Sequence, residues 1–206
     1  MRDERCHCDI NLARQTECLR NLSFTLAVPT RALLPCSGYF DPAIAARYGI
    51  ADIDWSNGRA QWARARPMDD DARLATEAAM IKAINPDTHV WIYRNLVKAL
   101  SWYGAVREKL EDPQYSGWFL HFNNPSGPSN ISVPTGNTTL YHSQDQTLTE
   151  LDCGGPCDCG SVPCGEYLWD PRNASLRAWL IDVHILGPTG LGNPNVTGFY
   201  FGKNLR

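Results

Sequence analysis

The stretch from Gly165 to Phe201 limits the fold more than any other part of the chain. It reads as strand, capped helix, glycine-rich loop, strand. Asp170 carries a carboxylate suited to capping a helix, and Pro171 suits a first helical position, where its missing N–H leaves no bond unmade. Leu176, Trp179, Leu180 and Val183 then fall at i, i+3, i+4 and i+7, which predicts one apolar helical stripe. Gly187-Pro188 stops that helix. Val196 to Phe201 is a short β-rich run. A strand–helix–strand unit of this size feeds a parallel sheet.

Upstream elements repeat the rhythm. Tyr48 to Trp55 predicts a first strand, with Asp52 and Asp54 toward its C-terminal end. Asp69-Asp70-Asp71 opens a helix whose buried face is Leu74, Ala78, Ile81 and Ile84, and Asn85-Pro86 ends it. Thr88 to Tyr93 is the clearest strand by β propensity, followed by Arg94-Asn95. A second helix is expected over Ser101 to Glu111, with Trp102, Val106 and Leu110 on one side. Gly117 to Phe122 reads as an extended segment over the sheet. Tyr167-Leu-Trp169 and Gly198 to Phe201 supply the third and fourth strands.

The expected fold is therefore α/β, an incomplete (β/α)8 TIM barrel of about four parallel strands and three helices. A complete barrel typically needs about 250 residues, and this chain has 206. Residues 1–35 are expected to be a divergent or poorly ordered N-terminal segment in which Cys6, His7, Cys8 and Cys18 resemble a metal or disulfide knot. Residues 36–206 form the partial barrel. Within it, 123–164 is a loop insertion rich in Pro, Gly, Ser, Asn and Thr, a length that is commonly functional.

The insertion ends in Cys153, Cys157, Cys159 and Cys164. Two chemistries fit, zinc or two disulfides pinning the loop, although paired C-x-x-C spacing for structural zinc is absent. Four cysteines allow three pairings, and spacing alone does not choose among them. N-x-Ser/Thr sequons occur at Asn21, Asn130, Asn137, Asn173 and Asn195. With an even cysteine count they favour an extracellular or secretory-pathway protein carrying disulfides and glycans. The first residues show no basic-then-apolar signal, and no run reaches transmembrane length. A formal charge of −3 gives no basic footprint, so nucleic acid is not an expected partner.

Chemistry is expected at the C-terminal ends of the strands. Asp54 is the candidate acid there. Trp55, Tyr93, Arg94, Asn95 and Trp169 are candidate substrate-binding residues: rings stack on sugar faces, and Arg and Asn meet hydroxyls. Each has a plain alternative, Asp54 as a turn residue and Arg94 in a structural ion pair. Asp170 is read as a cap rather than an acid. Within Tyr141 to Gln146, His142 and Asp145 can reach over the rim, although solvated loop residues are the simpler reading.

Three segments, G-W-F-L-H-F at 117–122, Y-L-W-D-P-R-N-A-S-L-R-A-W-L-I-D at 167–182 and G-F-Y-F at 198–201, resemble the glycoside-hydrolase-like TIM barrels, relatives in pattern of the α-amylase-type barrels. D-I-D-W-S-N at 52–57, W-I-Y-R-N-L-V-K-A-L at 91–100 and V-P-C-G-E-Y-L-W-D at 162–170 are similar to a cysteine-bearing branch seen in protist proteins. The resemblance implies a carbohydrate partner, hydrolysis of glycosidic bonds in complete relatives, and no cofactor. It also implies an acidic residue just after Phe201, where this chain reads Gly202-Lys203-Asn204-Leu205-Arg206. The expectation is glycosidase ancestry without hydrolysis by the chain as written. A non-catalytic carbohydrate-binding or cell-surface module is the alternative, and a zinc-binding interaction domain a further one. A half barrel also has open edge strands, which predict self-association.

Overall fold

The computed structural model describes residues 41–121, 142–143 and 153–201. The expectations for residues 1–35, Asn21, Asn130, Asn137, Asp145 and most of the 123–164 insertion lie outside the described residues.

A short helix, α1 (Pro42–Ala45), opens on Asp41, whose carboxylate accepts the Ala43 N–H at 2.9 Å. Strand β1 (Ile50–Ile53) follows, then one turn of helix, α2 (Arg59–Trp62), and the long helix α3 (Asp70–Ile84). Strand β2 (His89–Arg94) runs parallel to β1, with Asp52 opposite Trp91 and Ile53 opposite Ile92. The last strand, β6 (Gly198–Phe201), lies parallel to β2 on its other side, with Tyr93 opposite Tyr200. The parallel sheet therefore has the order β1-β2-β6.

Its core follows from period-two alternation. Ala51, Ile53, Val90 and Ile92 share one face and join Leu74, Ala78 and Ile81 of α3 in a single buried cluster. Ile84 does not belong to that face. It is 56% exposed at the last turn of α3, where the helix has run past the sheet.

The other strands leave this sheet. Strand β3 (Lys98–Leu100), β4 (His142–Ser143) and β5 (Glu166–Leu168) form a separate antiparallel sheet in the order β3-β5-β4. The expectation of a third parallel strand at Tyr167 is thus corrected. Its apolar pattern predicts a strand but not a partner. Here the partner is Lys98–Leu100, a three-residue run that sequence reading missed. Asn95 creates it: its Oδ1 accepts the N–H groups of Val97 and Lys98 at 2.9 and 2.7 Å, turning the chain out of β2. Lys98 and Glu166 then pair at 2.5 Å across the ladder.

Helix α4 (Gly104–Glu111) starts three residues later than expected, because Asp71 of α3 accepts the Gly104 and Ala105 N–H groups and fixes its first turn. A 3-10 helix, Pro113–Trp118, replaces the start of the expected extended segment, and Phe119 beyond it bridges to Trp169.

The helix of the opening stretch also differs. It is α5 (Ala174–Trp179), and its cap is Asn173 rather than Asp170: the Asn173 Oδ1 accepts from Ser175 and Leu176. Asp170 instead pairs with Arg172 at 2.8 Å. A π-helix, Leu180–Ile185, follows at once. The Leu186 N–H reaches the Ile181 carbonyl, an i→i+5 bond. The wider turn rotates the stripe by one residue. His184 is therefore buried at 4% exposure, while Val183, the expected apolar contact, is 38% exposed.

The cysteine segment is a strap closed by Cys153–Cys157 and Cys159–Cys164. It knits the two sheets' surroundings. Arg66 donates to the Cys153 carbonyl, Met68 to the Asp158 carbonyl, and the Ser101 hydroxyl to the Gly165 carbonyl.

Candidate functional site

The parallel register defines a second sheet face opposite α3. Asp52, Asp54, Trp91, Tyr93 and Tyr200 share it, because residues paired across a parallel ladder and residues two apart on one strand point the same way. Gly198 sits beside Trp91 on this face. A Cβ added there would lie 2.6 Å from the indole, so the glycine keeps Trp91 in place.

Asp54 is the centre of the arrangement. Its Oδ1 accepts the Ser56 N–H at 2.9 Å and its Oδ2 accepts the Tyr200 hydroxyl at 2.5 Å. Tyr200 meets Tyr93 edge-on, with ring centroids 5.3 Å apart. Asn95 donates its Nδ2 to the Tyr93 hydroxyl at 2.7 Å. Burial, then the charge and hydrogen bond of Asp54, raise the Tyr200 pKa, so its hydroxyl stays a donor.

Asp52 lies two residues before Asp54. One of its oxygens is buried without a partner among the described residues. Burial first, and the Asp54 charge second, push its carboxyl up to about 7. Two carboxyl groups on one strand face thus sit in different surroundings, one hydrogen-bonded and one holding its proton near neutrality. That combination suits acid–base exchange with a bound hydroxyl.

The other expected residues divide clearly. Trp55 is half-buried in a cluster with Trp62 and Trp102, at centroid distances of 6.1 and 5.4 Å. Arg94 is fully buried on the face toward α3 and the π-helix. Its Nε, Nη1 and Nη2 donate to the carbonyls of His184, Tyr93 and Thr189 at 3.0, 3.0 and 2.6 Å. Trp169 is 2% exposed and stacked on Phe119 at 5.0 Å. Neither Arg94 nor Trp169 shares the face that holds the carboxylates, and burial removes both from contact with a dissolved sugar. Asp170 is held at about 2, chiefly by the Arg172 side-chain hydrogen bond, as befits a surface ion pair rather than an acid.

Trp91 and Tyr200 are the residues sequence reading missed as site candidates; it puts Asp52 at the strand end but names Asp54 as the acid. The signal was present: Asp52 is i−2 from Asp54, Trp91 is i−2 from Tyr93, and both belong to the same strand alternation. Tyr200 required the register.

Cys153, Cys157, Cys159 and Cys164 are paired in disulfides, so these four sulfurs offer no thiolate to zinc. Among the described residues no group of three or more His, Cys, Asp or Glu side chains is placed to hold a metal. Two disulfides fit an oxidising compartment. No helix among the described residues is long and apolar enough to cross a membrane. The sequon Asn173 uses its side chain twice, as the α5 cap and as a donor to the Gly117 carbonyl at 3.0 Å. The Asn195 amide donates to Asn193 at 3.1 Å. Neither a protein-family model nor a curated protein matches the chain.

Proposed function

We propose that this chain is a secreted carbohydrate-recognising protein of glycoside-hydrolase-like (β/α) ancestry, and that the sugar meets the sheet face bearing Asp52 and Asp54. The observation that carries the reading is the sharing of one face by two carboxyl groups and two partly exposed aromatic side chains, Trp91 and Tyr200, backed by the buried ring of Tyr93. Rings of this kind stack on the apolar faces of pyranoses, and carboxylates accept from their hydroxyls. The barrel ancestry draws on the parallel order β1-β2-β6 and on acids at strand C-terminal ends. In complete relatives, a carboxyl pair would hydrolyse glycosidic bonds by acid–base catalysis. In this chain we read the same pair as accepting from the sugar's hydroxyls.

A glycan array with the full chain tests the reading, followed by a reducing-end assay on every sugar retained. Retention that is lost in Trp91→Ala and Tyr200→Phe is expected. Failure to retain any oligosaccharide sinks the proposal, and release of reducing ends turns it from a binding module into an enzyme. Among the described residues β1 and β6 are the outer strands of the parallel sheet, and the reading has them pair with a second copy. Sedimentation should show dimers or larger species, and a monomer at all concentrations would contradict this part.

A further inference from the structure

We propose that the segment from Leu180 to Leu186 is an acid-triggered register switch: a π turn holds His184 inside the protein at neutral pH, and in acid an ordinary α turn expels His184 and brings Val183 inward. The proposal stands apart from the carbohydrate reading and does not need it. Three observations lead to it.

The first is that the segment has two registers open to it. At about 3.6 residues per turn, Val183 continues the buried face of Leu176 and Leu180, and His184 falls to the flank of that face. The structure holds the opposite arrangement, with His184 buried and Val183 partly exposed. The exchange turns on one hydrogen bond. The Leu186 N–H donates to the Ile181 carbonyl, whereas the Gly187 N–H just beyond it already makes the α-type bond to the Val183 carbonyl. Moving the Leu186 bond to the Asp182 carbonyl restores an α turn. Single π turns within helices are rare, and they are often found at working parts of a protein.

The second is what holds the π register. The His184 ring lies nearly flat against Trp179, with centroids 5.7 Å apart and planes 19° from parallel. Its backbone carbonyl accepts from the Arg94 Nε at 3.0 Å, and the Thr189 carbonyl, in the loop that follows, accepts from Nη2 of the same guanidinium. The switch therefore sits under the Arg94 clamp and shares its partner on β2.

The third is that the surroundings oppose an imidazolium. From β2 the ring faces Arg94, a like charge. From the start of α4 it faces Tyr103, with centroids 5.9 Å apart, whose hydroxyl donates to the Tyr93 carbonyl. From α3 comes Asp70, which bears on Arg94 and Tyr103 and whose carboxyl burial keeps protonated in acid. From α5 comes Trp179. Arg177 and Asp182, on the same stretch as His184, are exposed. No described carboxylate forms an ion pair with the ring. Burial, then the Arg94 charge, hold its pKa well below the usual value. A flanking, solvated imidazole titrates near its ordinary value of about 6.5, so the acid register gains up to about tenfold for each pH unit below that, or about 100-fold at pH 4.5.

Proton–carbon NMR of the isotope-labelled full chain should follow the His184 ring from pH 7 to pH 4. Against the Trp179 face its ring protons carry an upfield ring-current shift. The expected result is a reversible, cooperative loss of that shift with a midpoint below about pH 6.5, while the amide signals of β1 and β2 stay in place. Val183→Asn denies the acid register its apolar residue and should lower the midpoint by at least about one pH unit, a tenfold change in proton concentration. Val183 is already partly exposed at neutral pH, so the π register tolerates the change. His184→Leu cannot charge, and should keep the β1 and β2 signals and show no transition in the amides of 180–190. Titration of His184 with its ring-current shift intact overturns the proposal, as does a shift that persists unchanged to pH 4. Simultaneous loss of the β1 and β2 signals overturns it too, because the whole chain would then be unfolding. So does a midpoint unmoved in Val183→Asn, since the opening would need no inward valine, or a transition that survives in His184→Leu.

Discussion

The two faces of the parallel sheet come from the same ten residues of β1 and β2, yet they treat polar groups in opposite ways. On the face toward α3, the side chains are Ala51, Ile53, Val90 and Ile92, each 2% exposed or less. The one charge there, Arg94, donates to three backbone carbonyls. On the other face the polar groups are carboxyls, half-buried, with the Asp52 Oδ1 left unmet. A buried charge with every bond made is a structural clamp. A carboxyl held away from water without a donor is a group that another molecule can complete. The contrast separates what holds the sheet from what the sheet presents.

The comparison breaks if Arg94 proves dispensable. Arg94→Met leaves the carbonyls of His184 and Thr189 without their donor and removes the tie between β2 and the 184–190 segment. Each orphaned carbonyl costs about 1–3 kcal/mol, so a loss of about 3–5 kcal/mol is expected in urea unfolding. Arg94→Lys should recover only part, because a single ammonium cannot span three separated acceptors as a fork does. A variant as stable as the parent would show that the clamp reading is wrong.

A smaller effect is expected at the strap. The Cys159–Cys164 bridge closes a very short loop, so the chain-entropy account gives about 2 kcal/mol. Replacing both cysteines with serine should lower stability by about that much, while ligand binding at Asp54 stays within twofold. A large loss of binding would mean that the strap contributes to the site, which the two-face division does not predict.

Much of the covered face was legible in the sequence, and for a physical reason. β1, α3 and β2 are strongly patterned and consecutive in a βα rhythm, whereas β6 was legible as a strand but not as the neighbour of β2. The run at Tyr167 was equally legible as a strand but not as a member of a sheet. Its partner, Lys98–Leu100, is three residues long and is produced by one asparagine turn. The end of the opening stretch failed differently. A π turn inserts between Leu180 and Ile185 and exchanges Val183 for His184 in the interior, and no 3.6-residue pattern can announce it. Asp54 and Tyr93 were found at the site because strand ends are where polar residues stand out. Arg94 and Trp169 stand at strand ends by the same rule. Only the side-chain hydrogen bonds and packing reveal that both face inward.

Tyr200→Phe sharpens the account of the second face. It removes the hydroxyl that meets Asp54 at 2.5 Å and keeps the ring. The hydrogen bond is worth about 1 kcal/mol net, so stability should fall by no more than that. The ring contact with Tyr93 should persist. Oligosaccharide binding should weaken more than stability does, because Asp54 then loses the donor that orients it. Equal and small effects on both would make the Tyr200–Asp54 bond a packing feature only.

The smallest effect has the clearest sign. Asp52 holds its proton to about 7 when folded, against about 3.9 for an ordinary aspartate. The folded chain therefore binds a proton that the unfolded chain has released, and stability falls as pH rises from about 4 to about 7. Asp70, also raised by burial, acts in the same direction. His184 acts against them. Burial, then the Arg94 charge, hold its pKa well below the usual value, so its contribution is lost as pH falls through about 6.5. Asp52→Asn should leave stability unchanged near pH 4 and raise it at pH 8, by no more than about 1 kcal/mol for a group partly screened by solvent. Urea midpoints measured across that range give the difference curve. Asp54→Asn removes the neighbouring charge, the smaller of the two causes, and should shift the Asp52 transition down by less than the full displacement. A midpoint difference that stays flat with pH would mean that Asp52 is as well solvated as any surface aspartate, and the second face would lose its one unbalanced acid.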